Sequence, residues 1–175
     1  MQVIASDRLM TETLTSMLEG YDCPAILVSS NYQIIATNTR YQLQFGDIDL
    51  SRRNHCYEVS HGYQVPCDQA GEDCPLAAAQ QSRHKERVLH IHQTPRGKEH
   101  VDVEMLPLYD RNGELMCFVE LLRALNVAGA QNSQQVMVGQ SRAFTKMLEH
   151  ITRVAESEAS VLLLSLIHIS EPTRR

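Results

Sequence analysis

Three cysteines and one histidine stand close together in a polar, turn-rich stretch of the sequence. They are Cys56, His61, Cys67 and Cys74, with the spacing C-x4-H-x5-C-x6-C. Thiolates and imidazoles suit zinc or an iron–sulfur cluster, and four such groups could close a tetrahedral site. The segment from Asp47 to Cys74 has few core-forming residues, so ligand bonds would order a backbone that packing cannot. The spacing therefore predicts a metal site at these four residues.

The same pattern leaves two other interpretations open. The thiols could undergo reversible redox chemistry, or they could be buried structural thiols beside a capping histidine. None of the spacings is the tight C-x2-C that marks many zinc sites. On one regular helix Cys56 and His61 would point about 140° apart. Shared ligation therefore requires a helix to end before His61, where Gly62 follows.

Two further histidines lie on one face of a predicted strand. His90 and His92 alternate with Leu89 and Ile91, and side chains two residues apart in a strand point the same way. These imidazoles are candidate cofactor-binding residues that could line a ligand cavity or complete a metal site. The alternative is a solvated or hydrogen-bonded sheet face.

No catalytic constellation is visible in the sequence. There is no G-x-S-x-G elbow, no Cys–His nucleophile pair and no paired carboxylates. The H-x-E at His84–Glu86 resembles half of a zinc deaminase motif, but the Pro-Cys pair lies upstream of it with the wrong spacing. We expect a protein without catalysis in this chain. A metal-dependent enzyme built on the Cys/His set remains the alternative.

Composition limits the class of protein. The chain has 175 residues, 43% of them hydrophobic and 21% charged, and a formal net charge of −5. A chain of this length holds one domain and a small remainder, and the excess of acidic residues argues against non-specific binding of polyanions. The longest apolar run, Val161 to Leu164, is far short of a membrane span, and the N-terminus lacks a secretory signal. We expect a cytoplasmic protein that does not bind a membrane.

Periodicity and turn signals predict the elements. A helix capped at Ser6 or Asp7 runs to about Glu19, a hairpin turns at Asn31, and short helices follow. Three strands come next: Glu86–Thr94, Glu99–Tyr109 and Glu114–Arg123. This order predicts an α+β fold, an antiparallel five-stranded sheet with short helices on one face. A polar linker (126–135), a helix from Ser141 to about Glu156 and a buried strand over 160–164 are predicted beyond it.

The order of elements over Thr11 to Leu125 resembles a PAS domain, with residues 1–10 as the start of its N-terminal helix. The stretch from Cys56 through Pro66-Cys67 to Cys74-Pro75 is similar to that of a cysteine-bearing subgroup in bacterial signalling proteins. The resemblance implies a sensor that binds a small molecule, a metal or a redox centre and forms a homodimer. A PAS module that serves only dimerisation is a third reading.

Residues 136–164 resemble the start of the AAA+ domain of sigma-54-dependent transcriptional activators. The Val138-Gly139-x-Ser141 opening, the amphipathic helix and the VLLL run fall in the family's order. This resemblance implies a sensory region that regulates an attached ATPase. Contacts with RNA polymerase sigma-54 and with DNA would be made only by domains absent from this chain. Because the chain contains no G-x-x-x-x-G-K-[ST] loop, we expect no ATP binding by it.

The last residues resemble a sequence that is not part of a protein. Ser165 to Arg174 read SLIHISEPTR, which resembles the conceptual translation of a transposon adapter used to build sequencing libraries. We therefore expect residues 165–175 to be an artefact, and the native sequence to be a fragment truncated at Leu164.

Overall fold

A five-stranded antiparallel sheet organises the computed structural model, which describes residues 12–95, 97–124, 141–155, 157–158, 160 and 162. The strands are β1 (Ala25–Val28), β2 (Ile34–Thr37), β3 (Glu86–Thr94), β4 (Gly97–Tyr109) and β5 (Leu115–Ala124). Their order across the sheet is β2-β1-β5-β4-β3. The predicted α+β fold is confirmed, and the limits of β3 are those predicted from the alternation of its residues.

The helices are short, and local signals set their ends. Residues 12–18 are helical (α1), followed by α2 (Thr39–Phe45), α3 (Cys56–His61), α4 (Pro75–Ser82) and α5 (Arg142–Ala155). Asn38 caps α2 by accepting a hydrogen bond from the backbone N–H of Tyr41, and proline opens α4, where no backbone donor is needed. The predicted cap of α1 at Ser6 or Asp7 lies outside the described residues.

The hairpin between β4 and β5 shows how the sequence sets the sheet register. The Asp110 carboxylate accepts hydrogen bonds from the backbone N–H groups of Asn112 and Glu114, both at 2.8 Å. Gly113 has a φ of 81°, a left-handed conformation that costs glycine little. The turn fixes a register in which Met105 faces Glu120 and Val103 faces Leu122.

The two faces of the sheet are covered differently. On the inner face, α2, α3 and α4 cover a core that contains Ile26, Val103 and Phe118. The prediction of helices on one face alone was incomplete. Leu18 of α1 packs on the opposite face against Leu27 and Val119, and α5 packs against β3.

Other differences from the prediction fall between and beyond the strands. The segment over 47–74, predicted to be loop-like, contains α3. The helix predicted from Ser141 is present as α5. Of the strand predicted over 160–164 the structure describes only Ser160 and Leu162, neither in a strand, and the Leu162 side chain is exposed. The linker over 126–135 and residues 165–175 lie outside the described residues. No helix in the described part of the chain is long and apolar enough to cross a membrane.

Candidate functional site

A small cavity lined by buried residues lies between the inner face of the sheet and the helices. Its volume is about 10 Å³, roughly what a single water molecule needs. Six of the side chains around it can ligate a metal, and we call them the interior cluster: Cys56, His61, Cys67, Cys74, His90 and Glu120. The remaining walls are apolar, from Pro75, Leu76, Val103 and Met105. The four residues predicted as metal ligands therefore line one cavity, and whether they bind metal stays a prediction.

Helix α3 brings two members of the interior cluster to the cavity from its two ends. Cys56 is its first residue, and the Cys56 backbone N–H donates to the carbonyl of Tyr32 at 2.9 Å. His61 is its last residue, followed by Gly62 in a left-handed conformation with a φ of 69°. The helix includes His61, so the condition for shared ligation by Cys56 and His61, a helix that ends before His61, is not met. A helix of only six residues lets the cavity contact both of its ends rather than one stripe along it.

Two imidazoles meet edge to edge within the interior cluster. His61 Nε2 lies 3.2 Å from His90 Nδ1. The other nitrogen of each ring faces a backbone carbonyl: His61 Nδ1 is 3.1 Å from the oxygen of Ile91, and His90 Nε2 contacts the oxygen of Asp73. The outer nitrogens are thus held by acceptors, and the inner nitrogens face each other.

Cys67 joins these two histidines. One ligand atom each from His61, Cys67 and His90 lie within 4.8 Å of one another. In the part of the chain that the structure describes, this is the one group of histidine, cysteine and carboxylate side chains that meets this spacing. Cys56 and Cys74 line the same cavity but lie outside the group.

The thiols of Cys67 and Cys74 form a hydrogen bond that makes them unequal. The bond to Cys74 raises the pKa of Cys67, and burial adds to the rise. The same bond lowers the pKa of Cys74 to about 7, because it stabilises a thiolate there. The backbone N–H groups of Ala77 and Leu76, in the first turn of α4, act in the same direction. Cys74 is therefore the thiol of this pair that ionises first.

Burial determines the charge state of the other members. It lowers the pKa of His61 to about 3, with His90 adding to the effect, and it lowers the pKa of His90 as well. Burial raises the pKa of Cys56 well above its usual range and raises that of Glu120 to about 8. In the absence of a bound ion the cavity thus favours neutral imidazoles, and a neutral imidazole is the form that ligates metals.

His92 is part of the same ring cluster but not of the ligand group. Its ring centroid lies 4.6 Å from that of His61 and 5.8 Å from that of Phe45. The His92 side chain is 1% exposed, and its Nδ1 has no hydrogen-bond partner among the described residues. Of the alternative offered for His90 and His92, a solvated or hydrogen-bonded sheet face, burial excludes the solvated form, whereas His90 is hydrogen-bonded. A cofactor-binding role for either remains a prediction.

Sequence reasoning missed Glu120. It shares strand parity with Phe118 and Leu122, so the alternation of β5 places all three on the inner face. A carboxylate between two apolar residues of one parity was the available signal. Sequence reasoning kept His90 outside the four predicted ligands and allowed only that it could complete a metal site, because the pairing of β3 with the helices is not visible in local spacing.

A second, larger space lies outside the interior cluster. A groove of about 300 Å³ runs between β3, α5 and residues 70–73, and Leu89, Lys146 and Glu149 are among its lining residues. The volume of the groove is at the lower end of what small-molecule sites require, whereas the volume of the cavity at the interior cluster is far below it. An organic ligand would fit the groove, and only an ion or a water molecule would fit the cavity.

Comparisons with known proteins agree with this architecture. A family model described as PAS fold (PAS_4) matches residues 18–126. No curated protein sequence matches the chain. A PAS domain from Colwellia psychrerythraea is 13% identical, with a TM-score of 0.51 over 66% of this chain and 97% of that chain. A LOV protein from Rhodobacter sphaeroides is 12% identical, with a TM-score of 0.51 over 68% of each chain.

VqmA bound to DPO is 17% identical, with a TM-score of 0.49 over 66% of this chain, and this chain spans 58% of its length. At these identities the solved structures show the fold alone. The family model covers most of the chain and all five strands. The chain therefore belongs to the PAS fold family.

Proposed function

We propose that this chain is the sensory region of a bacterial sigma-54-dependent transcriptional regulator, and that its PAS domain receives the signal at the interior cluster. One observation carries the proposal: the three thiols, two imidazoles and one carboxyl of the interior cluster line a single cavity in the domain. Burying two imidazoles and a carboxyl beside these thiols costs hydration, which a core built only for stability would avoid. Their chemistry suits a metal or a redox signal.

A physical route leads from the cavity to the C-terminal part of the chain. The carboxylate of Glu149 on α5 accepts a hydrogen bond of 3.1 Å from the backbone N–H of Leu89 on β3. The next residue along β3 is His90, a member of the interior cluster. A change at His90 would therefore alter the strand to which α5 is bound, and α5 belongs to the region that resembles the start of the AAA+ domain.

The partners follow from this assignment. The PAS domain would form a homodimer, and the attached ATPase and DNA-binding domains, which this chain lacks, would contact RNA polymerase sigma-54 and DNA. This chain would carry no catalysis and bind no ATP. A metal-dependent enzyme would need an open ligand position beside an accessible acid or base. The cavity at the interior cluster, at about 10 Å³, is too small to hold a substrate.

A chimera tests the proposal. Residues 1–164 would be joined to the ATPase and DNA-binding domains of a sigma-54-dependent activator, with transcription read from its promoter. We expect His90→Asn and Cys67→Ser to change the signal-dependent output several-fold. The matched control is Cys117→Ser, a half-buried cysteine on the opposite face of the sheet. Output that is identical for all variants would reject a sensory role for the interior cluster.

A further inference from the structure

We propose that the PAS domain binds a zinc-class divalent transition metal ion through His61 Nε2, His90 Nδ1 and Cys67 Sγ, with Cys74 as the nearest further thiol. The proposal rests on the proposed function only where it makes this ion the signal; the site itself stands on its own geometry. It also differs from the set predicted from spacing, because it includes His90 and leaves out Cys56.

The first argument concerns protons. A backbone carbonyl only accepts hydrogen bonds, so the ring nitrogens that face carbonyls must carry the hydrogen. His61 Nδ1 faces the oxygen of Ile91, and a carboxylate oxygen of Glu72 lies 3.9 Å away on the same side. His90 Nε2 faces the oxygen of Asp73. In a neutral imidazole the remaining nitrogen then has a bare lone pair, so His61 Nε2 and His90 Nδ1 present two lone pairs to each other.

Two lone pairs at 3.2 Å repel unless a positive charge lies between or beside them. A proton could serve only if one imidazole became cationic, and a charge there would be cut off from water, because the exposed fraction is 4% for His90 and 5% for the His61 side chain. A metal ion meets the same need without protonating either ring. The arrangement of donors is therefore that of a ligand pair rather than that of an ordinary hydrogen bond.

The distances agree with this interpretation. Zinc–nitrogen bonds of about 2.0–2.1 Å at a tetrahedral angle place two ligand nitrogens roughly 3.3 Å apart. The observed separation of His61 Nε2 and His90 Nδ1 is 3.2 Å. Cys67 supplies a sulfur within 4.8 Å of one ring nitrogen of each histidine. The carbonyls of Ile91 and Asp73 hold the far side of each ring, an arrangement that fixes the tautomer of metal-binding histidines.

Cavity size and charge select the kind of ligand. The cavity of about 10 Å³ excludes an organic molecule but admits an ion. The Cys67 and Cys74 thiols and the Glu120 carboxyl are all neutral or anionic side chains, and no lysine or arginine lines the cavity. A divalent cation would find compensating negative charge there, and the hydrogen bond between Cys67 and Cys74 keeps a second thiol beside the site.

The test is a titration of the purified full chain, stripped of metal and reduced, with Co²⁺ as a spectroscopic probe and Zn²⁺ as competitor. We expect one Co²⁺ per chain, with a sulfur-to-cobalt charge-transfer band and the visible bands of a tetrahedral site. Cys67→Ser should abolish the charge-transfer band. His61→Asn and His90→Asn should each weaken binding more than about tenfold, because substitution of a residue that only supports a ligand already costs that much. Cys74→Ser should weaken it less.

The controls separate the proposal from its rivals. Cys117→Ser should leave binding unchanged and Cys56→Ser should weaken it less than either histidine variant, and circular dichroism of each metal-free variant would show that the sheet is intact. Loss of binding in Cys56→Ser with none in His90→Asn would overturn the proposal in favour of the four residues predicted from spacing. Absence of tetrahedral Co²⁺ from the folded wild-type chain would overturn both metal sets.

The outcome is also distinguishable from that of the proposed function. If the ion binds as described but chelation and His90→Asn leave the output of the chimera unchanged, the metal site stands and the sensory role fails. If the chimera responds to the cluster variants while the purified chain binds no metal, the sensory role stands and this inference fails.

Discussion

The two faces of the sheet handle polar groups in opposite ways. On the outer face two arginines lie beside carboxylates: the Arg87 guanidinium lies against Asp102, and Arg123 lies 3.1 Å from Glu104. On the inner face the groups are thiols, imidazoles and a carboxyl, all of them electron-pair donors, and they face one another. These charges of the outer face are balanced by side chains of the protein itself. The inner face has the composition of a site that an added cation would complete.

The largest expected effect is on the packing of the inner face. Phe118 is fully buried there, so Phe118→Ala should lower the free energy of unfolding by about 3–5 kcal/mol in urea denaturation. Met116, two residues away on the same strand and 64% exposed, provides the matched control. Met116→Ala should change stability by less than about 0.5 kcal/mol. Equal losses would show that this part of the inner face is not a core.

Glu120 tests the charge balance of the inner face. Burial raises its pKa to about 8 from an ordinary 4.5, so the folded protein holds a proton that the unfolded chain releases. Below pH 4.5 the carboxyl is protonated in both states, so its burial lowers the free energy of unfolding little. That free energy then falls progressively as pH rises from 4.5 through 8. In metal-free protein, Glu120→Gln should therefore be increasingly stabilising relative to wild type, by at most about 1.4 kcal/mol per pH unit over that range. A difference independent of pH would contradict this assignment.

Asn38 shows what a buried polar group looks like when the protein itself supplies every partner. Its side chain accepts from the backbone N–H groups of Ala25 and Tyr41 and donates to the carbonyls of Leu18 and Cys23.

We expect Asn38→Ala to cost about 2–3 kcal/mol in thermal or urea unfolding, because it removes the α2 cap and leaves buried donors unpaired. Added metal should not change that cost, whereas it should stabilise the wild-type domain at the interior cluster. A cost below that of the exposed turn variant Asn112→Ala would contradict this account.

The smallest effect is expected on the outer face. Arg87 Nε donates to both carboxylate oxygens of Asp102 at 2.8 Å, and the arginine is partly exposed. Arg87→Gln should therefore cost only about 1 kcal/mol, and less in high salt because the pair is screened. Unfolding curves at low and high ionic strength would measure both values. A cost that salt does not change would indicate a packing role for the arginine stem.

Local sequence was sufficient for the strands and for most of the donors, for physical reasons. Strand alternation places His90 and His92 on the same face, whichever element that face contacts. Asp110 and Gly113 favour a turn through local hydrogen bonds and backbone conformation alone. The grouping of donors depends on which strand lies beside which helix. His61 and His90 meet only because β3 is at the sheet edge beside α3, and Glu120 reaches the cavity only through the β4–β5 register. Neither relation is written in the spacing of nearby residues.

The position of β3 at the sheet edge has a consequence for how the chain meets other chains. A bare edge strand offers its outward N–H and C=O groups as a template for intermolecular strand addition. Here the outward N–H of Leu89 is taken by the Glu149 carboxylate, and the outward carbonyl of Ile91 is taken by His61. Glu149 and His61 thus occupy backbone groups of β3 that could otherwise pair with a strand of another chain. A chain cut before α5 would lose the hydrogen bond between Leu89 and Glu149 and become prone to edge-to-edge association, so α5 would also limit association of this chain through its sheet edge.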